Sequence, residues 1–101
     1  MTAALTDYKD GFVATGYAGS STIGPVSILG GEYALMVVDT GTPDAGLEIL
    51  GPDGSTFIQI GSRITTNGVS SYFLAAGRVR IVTGTGTSLS ASLIRIPYRA
   101  A

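Results

Sequence analysis

Residues 47–60 read LEILGPDGSTFIQI, two largely apolar segments on either side of a tight turn. In the turn, Pro52 fixes the φ angle of the first corner, Asp53 suits the second, and Gly54 supplies a positive φ angle. Apolar and polar residues alternate in much of the flanking sequence, as expected of β-strands. The segment therefore predicts a β-hairpin near the middle of the chain.

Other short segments with strand period lie on both sides of this hairpin. They are residues 26–29, 32–38, 71–74, 78–82 and 89–96, with glycine-rich turns between them. No stretch longer than a turn has the helical period. About seven or eight short strands, with turn signals roughly every eight to twelve residues, predict an all-β fold. We expect one antiparallel β-sandwich domain of the jelly-roll type.

Two of these segments carry apolar residues on both faces of the predicted strand. Residues 33–38 are apolar at every position, which predicts a strand inside a sheet with both faces covered. In the last segment Leu89, Ala91 and Leu93 share one face, whereas Ile94 falls on the other. Either a bulge resets the register near Leu93 and Ile94, or both faces of that strand are covered.

The first 22 residues differ from the rest, because Thr, Ala, Gly and Ser dominate and the apolar residues are scattered. We therefore predict an extended N-terminal arm over residues 1–22 and a β-sandwich domain over residues 23–101. A loose terminus is the alternative. Phe12 and Tyr17 are costly to leave in water and favour an arm that orders against a neighbouring subunit.

The composition predicts association with other protein chains. Hydrophobic residues make up 45% of the 101 residues and charged residues 13%, about half the usual charged share of roughly 25%. A surface with so few charges is poorly protected against association, so we expect a homo-oligomer or a permanent partner. The net charge of −1 offers no electrostatic footprint for nucleic acid or for an anionic membrane. No apolar run approaches the ~20 residues of a membrane span.

The residue types argue against an enzyme. The chain has no His and no Cys, so it lacks an imidazole base, a thiolate nucleophile and thiolate-bound zinc. Asp39, Asp44 and Glu48 are the candidate carboxylates, but a small sandwich has little material for a glycosidase cleft between them. We predict no cofactor and no metal site. For Asp39 and Asp44, turn capping is the main interpretation, and calcium binding stays open.

Five residues are candidates for contacts with a partner. Phe12 and Tyr17 lie in the predicted arm, and Tyr98 follows Pro97 at the other end of the chain. Arg78 and Arg80 point to one face of their strand and could form a binding stripe with Arg95, since Arg is enriched at interfaces. The alternative is that these arginines face solvent and discourage wrong strand pairing.

Four segments together carry a resemblance to a known group of proteins: residues 30–35 (GGEYAL), 47–56 (LEILGPDGST), 73–80 (FLAAGRVR) and 91–97 (ASLIRIP). Over roughly residues 28–98 the chain resembles small β-sandwich proteins from the structural gene clusters of tailed bacteriophages, including capsid decoration or cement proteins. The resemblance implies a virion protein, made in the host cytoplasm, that attaches to an assembled capsid as a dimer or trimer. Its expected partners are the major capsid protein or other virion proteins.

Two other functions remain open at the level of sequence. One is a carbohydrate- or receptor-binding module of a phage tail appendage. The other is an accessory domain of a secreted hydrolase. The accessory-domain hypothesis fits less well, because the N-terminus lacks the basic and apolar regions of a signal peptide.

Overall fold

The described part of the chain, residues 8–84 and 87–96 of a computed structural model, forms eight antiparallel strands. The strands are β1 (Gly11–Tyr17), β2 (Ser21–Ile28), β3 (Gly31–Val38), β4 (Ala45–Leu50), β5 (Phe57–Ile64), β6 (Gly68–Leu74), β7 (Gly77–Thr83) and β8 (Leu89–Arg95). They build two four-stranded sheets, in the orders β1-β8-β3-β6 and β2-β7-β4-β5. The predicted single-domain β-sandwich is confirmed. Within these residues we find no helix long and apolar enough to span a membrane.

The winding of the chain starts from the predicted hairpin. β4 pairs with β5, and each step outward along the chain adds another antiparallel pair: β3 with β6, β2 with β7, and β1 with β8. The chain is thus a long hairpin wrapped around a core, which is the jelly-roll topology. The central turn is closed by a hydrogen bond that Gly51 N donates to Thr56 O (2.6 Å), and Gly54 has a φ angle of +77°.

The core lies between the two sheets and follows the period-two pattern of the strands. Its largest fully buried side chains come from both sheets: Ile28, Tyr33, Leu35, Leu47, Val79, Ile81, Leu89 and Leu93. Burying one such aliphatic side chain stabilises the fold by about 1.5–3 kcal/mol. The Tyr33 hydroxyl donates a hydrogen bond to Leu29 O (2.5 Å), and burial raises the pKa of this phenol above its usual value.

Residues 11–22 belong to the sandwich, so the prediction that an arm extends to residue 22 is wrong for them. Residues 11–17 form β1, which pairs with β8, and β2 begins at Ser21. Gly11 has a φ angle of +147°, and a Cβ atom there would lie 1.8 Å from the carbonyl oxygen of Leu93. The small residues that made this segment look unlike a strand thus permit its close approach to β8. Residues 1–7 of the predicted arm lie outside the described residues.

The two strands predicted to be apolar on both faces are covered on one face only. β3 does lie inside its sheet, between β8 and β6. However, Met36 and Val38 on its outer side are 46% and 54% exposed. β8 keeps a continuous register with β3, so the predicted bulge near Leu93 and Ile94 is absent. β8 also exposes Ile94, so its outer face is not covered by this chain either. A two-layer sandwich has no third layer to oppose these side chains.

Candidate interaction surface

Exposed apolar side chains are concentrated on the outer face of the β1-β8-β3-β6 sheet, here called the apolar face. Among the described residues, seven large hydrophobic side chains are exposed, and six of them lie on this face: Val13, Met36, Val38, Val69, Phe73 and Ile94. The seventh, Ile58, lies on β5 of the other sheet. Phe73 is the most exposed, at 84%. Such a concentration is typical of a binding surface rather than of scattered surface residues.

The strand register aligns these side chains into a band across all four strands. Val13 pairs with Ser92, Ser92 with Met36, and Met36 with Val69. The small side chains of Ser90 and Ser92 leave β8 lower than its neighbours. A shallow groove of about 560 Å³ lies over them, between Val13 and the apolar side chains of β3 and β6. The apolar face is therefore a grooved sheet surface.

The two outer faces of the sandwich differ in charge. Glu32 is the single charged side chain at the outward strand positions of the apolar face. On the outer face of the other sheet, Arg80 pairs with Glu48 (2.8 Å) and lies 3.9 Å from the centre of the Phe57 ring. An antiparallel sheet that faces water is normally polar on that side. The second face follows this rule and the apolar face departs from it.

Asp39 organises the loops at one end of the apolar face. Its buried carboxylate accepts hydrogen bonds from the backbone N–H groups of Gly41, Thr87 and Ser88, and its own N–H donates to Asn67 Oδ1 (2.9 Å). The backbone N–H of Ser88, helped by those of Gly41 and Thr87, holds the pKa of this carboxyl below its ordinary value. The Asp39 carboxylate thus ties the β3–β4 and β7–β8 loops together, and the Asp39 backbone N–H binds the β5–β6 loop through Asn67.

The carboxylates considered at the level of sequence each have a partner within the chain. Asp44 forms an ion pair with Arg63 (2.5 Å), and Glu48 forms one with Arg80. The bonds of Asp39 to backbone N–H groups favour the turn-capping interpretation. In the described ranges, His, Cys, Asp and Glu do not form a group of three or more that could hold a metal ion.

The predicted contact residues lie in different parts of the fold. Phe12 packs against the core from β1, and Tyr17 ends that strand half-buried. Arg78 and Arg80 share the outer face of the other sheet, as predicted, with Arg78 exposed and Arg80 half-buried. Arg95 lies in the first sheet, 3.6 Å from Asp10, so the three arginines do not form one stripe. Tyr98 lies outside the described residues.

Among known proteins, similarity to this chain was found in solved structures. No family model matches the chain, and no curated protein matches it. A solved structure of the C-terminal domain of a structural protein from Sulfolobus turreted icosahedral virus is similar, with 19% identity and a TM-score of 0.50. The match covers 84% of this chain and 100% of that domain. At this identity the similarity establishes the fold alone.

A second solved structure, of Bacillus endospore appendages described as a novel family of disulfide-linked pili, is also similar. Its identity is 20% and its TM-score 0.42, with 86% of this chain and 84% of that chain covered.

Sequence reasoning missed the residues of the apolar face. Met36, Val38 and Ile94 were visible in the sequence as apolar residues on the wrong side of a strand, and their segments were interpreted as covered on both faces. Val69 and Phe73 gave a weaker signal, because single apolar residues are common on protein surfaces. The low content of charged residues predicted association with other chains, but it did not indicate which surface would take part.

Proposed function

We propose that this protein is a non-catalytic structural protein of a virion, of the capsid decoration or cement type, and that the apolar face binds the assembled shell. The observation that carries the proposal is the apolar face itself. Six exposed large hydrophobic side chains lie on one sheet surface that has a single outward charge, whereas the opposite face is charged. The natural partner is the major capsid protein or another virion protein.

Three further observations support this proposal. The fold is similar to a domain of a viral structural protein. The chain has no His and no Cys, and the carboxylates considered for catalysis are engaged in internal ion pairs or loop hydrogen bonds. The apolar face also lacks Trp, the usual platform for sugar stacking, since the chain contains none. Attachment to a protein surface therefore fits better than glycan binding by a tail appendage.

The energetics suit a protein that stabilises a particle. Fully burying one Val or Phe side chain is worth about 1.5–3 kcal/mol, so even partial cover of the six apolar side chains opposes the entropic cost of docking. Binding to the assembled shell, but not to free subunits, shifts the equilibrium toward the intact particle. Many copies on one lattice would add their weak contacts by avidity when they are linked to one another.

The test is cosedimentation with virus shells that were assembled without this protein. Met36→Lys, in the middle of the apolar face, should abolish attachment, because the charge of the lysine would have to be buried. The matched control is Thr22→Lys, which adds the same charge to an exposed position of the other sheet and should attach like the wild type. Wild-type protein that fails to sediment with shells but binds a glycan array would overturn the proposal.

Arg78 and Arg80 remain predicted contact residues of the opposite face. In the same assay Arg78→Ala distinguishes attachment through the charged face from attachment through the apolar face, because Arg78 is exposed and lies in the other sheet from Met36. Loss of attachment in Arg78→Ala together with full attachment in Met36→Lys would move the contact to the charged face.

A further inference from the structure

We propose that two copies of this chain pair edge to edge along β6, in antiparallel orientation and centred on Ser71, to form one continuous eight-stranded sheet. The inference concerns a surface of this chain alone and does not depend on the particle to which the protein attaches. It comes from a comparison of the four edge strands, which are β1 and β6 in one sheet and β2 and β5 in the other.

Three of the four edges are interrupted. The register of β1 shifts between Ala14 and Tyr17, that of β2 shifts around Pro25, and the pairing of β5 shifts opposite Ala45–Leu47. Bulges and prolines are the features by which edge strands avoid pairing with another chain. The side of the sandwich that holds β1 and β2 is also partly closed, because Lys9 N donates to Ser27 O (2.8 Å) and Leu29 N donates to Lys9 O (3.1 Å).

β6 has none of these protections. All seven of its residues pair with β3 in one unbroken register, from Gly31 with Leu74 to Val37 with Gly68. The strand, Gly-Val-Ser-Ser-Tyr-Phe-Leu, contains no charged residue and no proline. A groove of about 420 Å³ runs beside it, lined by residues 62–66 and 68–72. β6 ends its sheet, so none of the eight described strands pairs with its free side, and the backbone groups there are open to an added strand.

The sequence of β6 fits a second copy of itself. In an antiparallel pair, residues directly opposite each other lie on the same face of the sheet. A twofold axis at Ser71 places Val69 opposite Phe73 of the second copy, and Phe73 opposite its Val69. Both side chains are outward and exposed, at 61% and 84%. Such aromatic and β-branched pairs stabilise sheets by about 0.2–1 kcal/mol each.

The absence of charge on β6 also favours self-pairing. A charge close to the twofold axis would lie near the same charge on the second copy and would repel it. β6 offers none. The pairing joins the two apolar faces into one surface that spans about 34 Å between its outermost strands, since eight strands have seven intervals of about 4.8 Å.

Single-cysteine variants test the register, because the chain contains no Cys. Two copies of position 71 would have Cα atoms about 4.5–5.5 Å apart, within the range of a disulfide. Ser71→Cys should therefore form a covalent dimer under mild oxidation. Two copies of position 69 would lie about 13 Å apart along the strands, so Val69→Cys should not form a covalent dimer. Ser92→Cys, in the centre of the apolar face, should also form no covalent dimer, and its cross-linking would reveal face-to-face stacking instead.

A matched pair of lysine variants tests the same interface without oxidation. Ser71→Lys would place two lysines opposite each other at the axis and should raise the dimer dissociation constant by about tenfold or more. Ser92→Lys adds the same charge on β8, two strands away from the β6 edge, and should leave the dimer intact. Sedimentation equilibrium measures both. The proposal is overturned if the wild type is a monomer throughout, if Ser71→Cys does not cross-link, or if Ser92→Lys weakens the dimer as much as Ser71→Lys.

Discussion

Asp39 shows how one residue orders the end of the molecule. Its carboxylate accepts hydrogen bonds from backbone groups in two loops, including Ser88 N at 2.9 Å, and only 6% of the residue is exposed. Charge-assisted bonds of this kind are stronger than neutral ones. Because they favour the ionised carboxylate, they lower its pKa in the folded state. The loops that flank the apolar face therefore depend on the ionisation of one side chain.

This dependence predicts a stability loss in acid. A carboxyl with a lowered folded-state pKa contributes stability above its unfolded value of about 3.9, and this contribution is lost as pH falls through the folded-state pKa. Asp39→Asn should be less stable than the wild type at pH 7, and the difference should shrink steadily below about pH 4. Urea denaturation midpoints from pH 7 to pH 2 provide the measurement. A difference that stays constant across this range would contradict the assignment.

At the scale of the element, β1 is a strand that its own sequence hardly marks. Phe12 and Ala14 point inward, but Gly11 precedes them, Thr15 and Gly16 follow them, and the bulge before Tyr17 breaks the period. Pairing with β8 holds these residues in a strand, although their own strand propensity is weak. Ala14 is 4% exposed, and Phe12 packs against the core.

Two truncations should therefore behave differently. Removing residues 1–17 deletes β1, uncovers the edge of β8 and opens the core beside Leu93, so we expect no cooperative unfolding transition. Removing residues 1–7 keeps all eight described strands and is the matched control, which should leave the transition nearly unchanged. Thermal unfolding followed by circular dichroism distinguishes the two. A cooperative transition at the wild-type temperature after removal of residues 1–17 would mean that β1 is dispensable and acts only as a tail.

The sequence predicts the fold well where local signals agree. The GPDG turn and the alternation around it predicted the β4–β5 hairpin, and the spacing of turns predicted the number and class of strands. It could not predict which of two faces stays uncovered, because residues 33–38 are compatible with either cover on both sides or an exposed apolar face. It also could not reveal the open edge at β6, since edge position depends on the order of strands in the sheet and not on their local sequence.

At the scale of the whole molecule, the sandwich has two different sides. One outer face carries ion pairs and suits water, and the other is apolar and ends at the uninterrupted edge of β6. Both features of the second side lie on the same sheet. A protein built in this way can bury its apolar face against a partner while β6 extends the sheet sideways, so that attachment and self-association do not compete for the same groups.

Neighbouring residues of β3 allow a test of this two-sided construction. Leu35 points into the core and is fully buried, whereas Met36 points outward and is 46% exposed. Leu35→Ala should lower the free energy of unfolding by about 2–5 kcal/mol. Met36→Thr should change it by no more than about 0.5–1 kcal/mol, because surface substitutions have small effects. It should also raise the solubility, since it interrupts the apolar face. Guanidinium denaturation and ammonium sulfate precipitation measure the two quantities. If Met36→Thr destabilised the chain as much as Leu35→Ala, the apolar face would be part of the core of the folded unit, and a surface reserved for a partner would be ruled out.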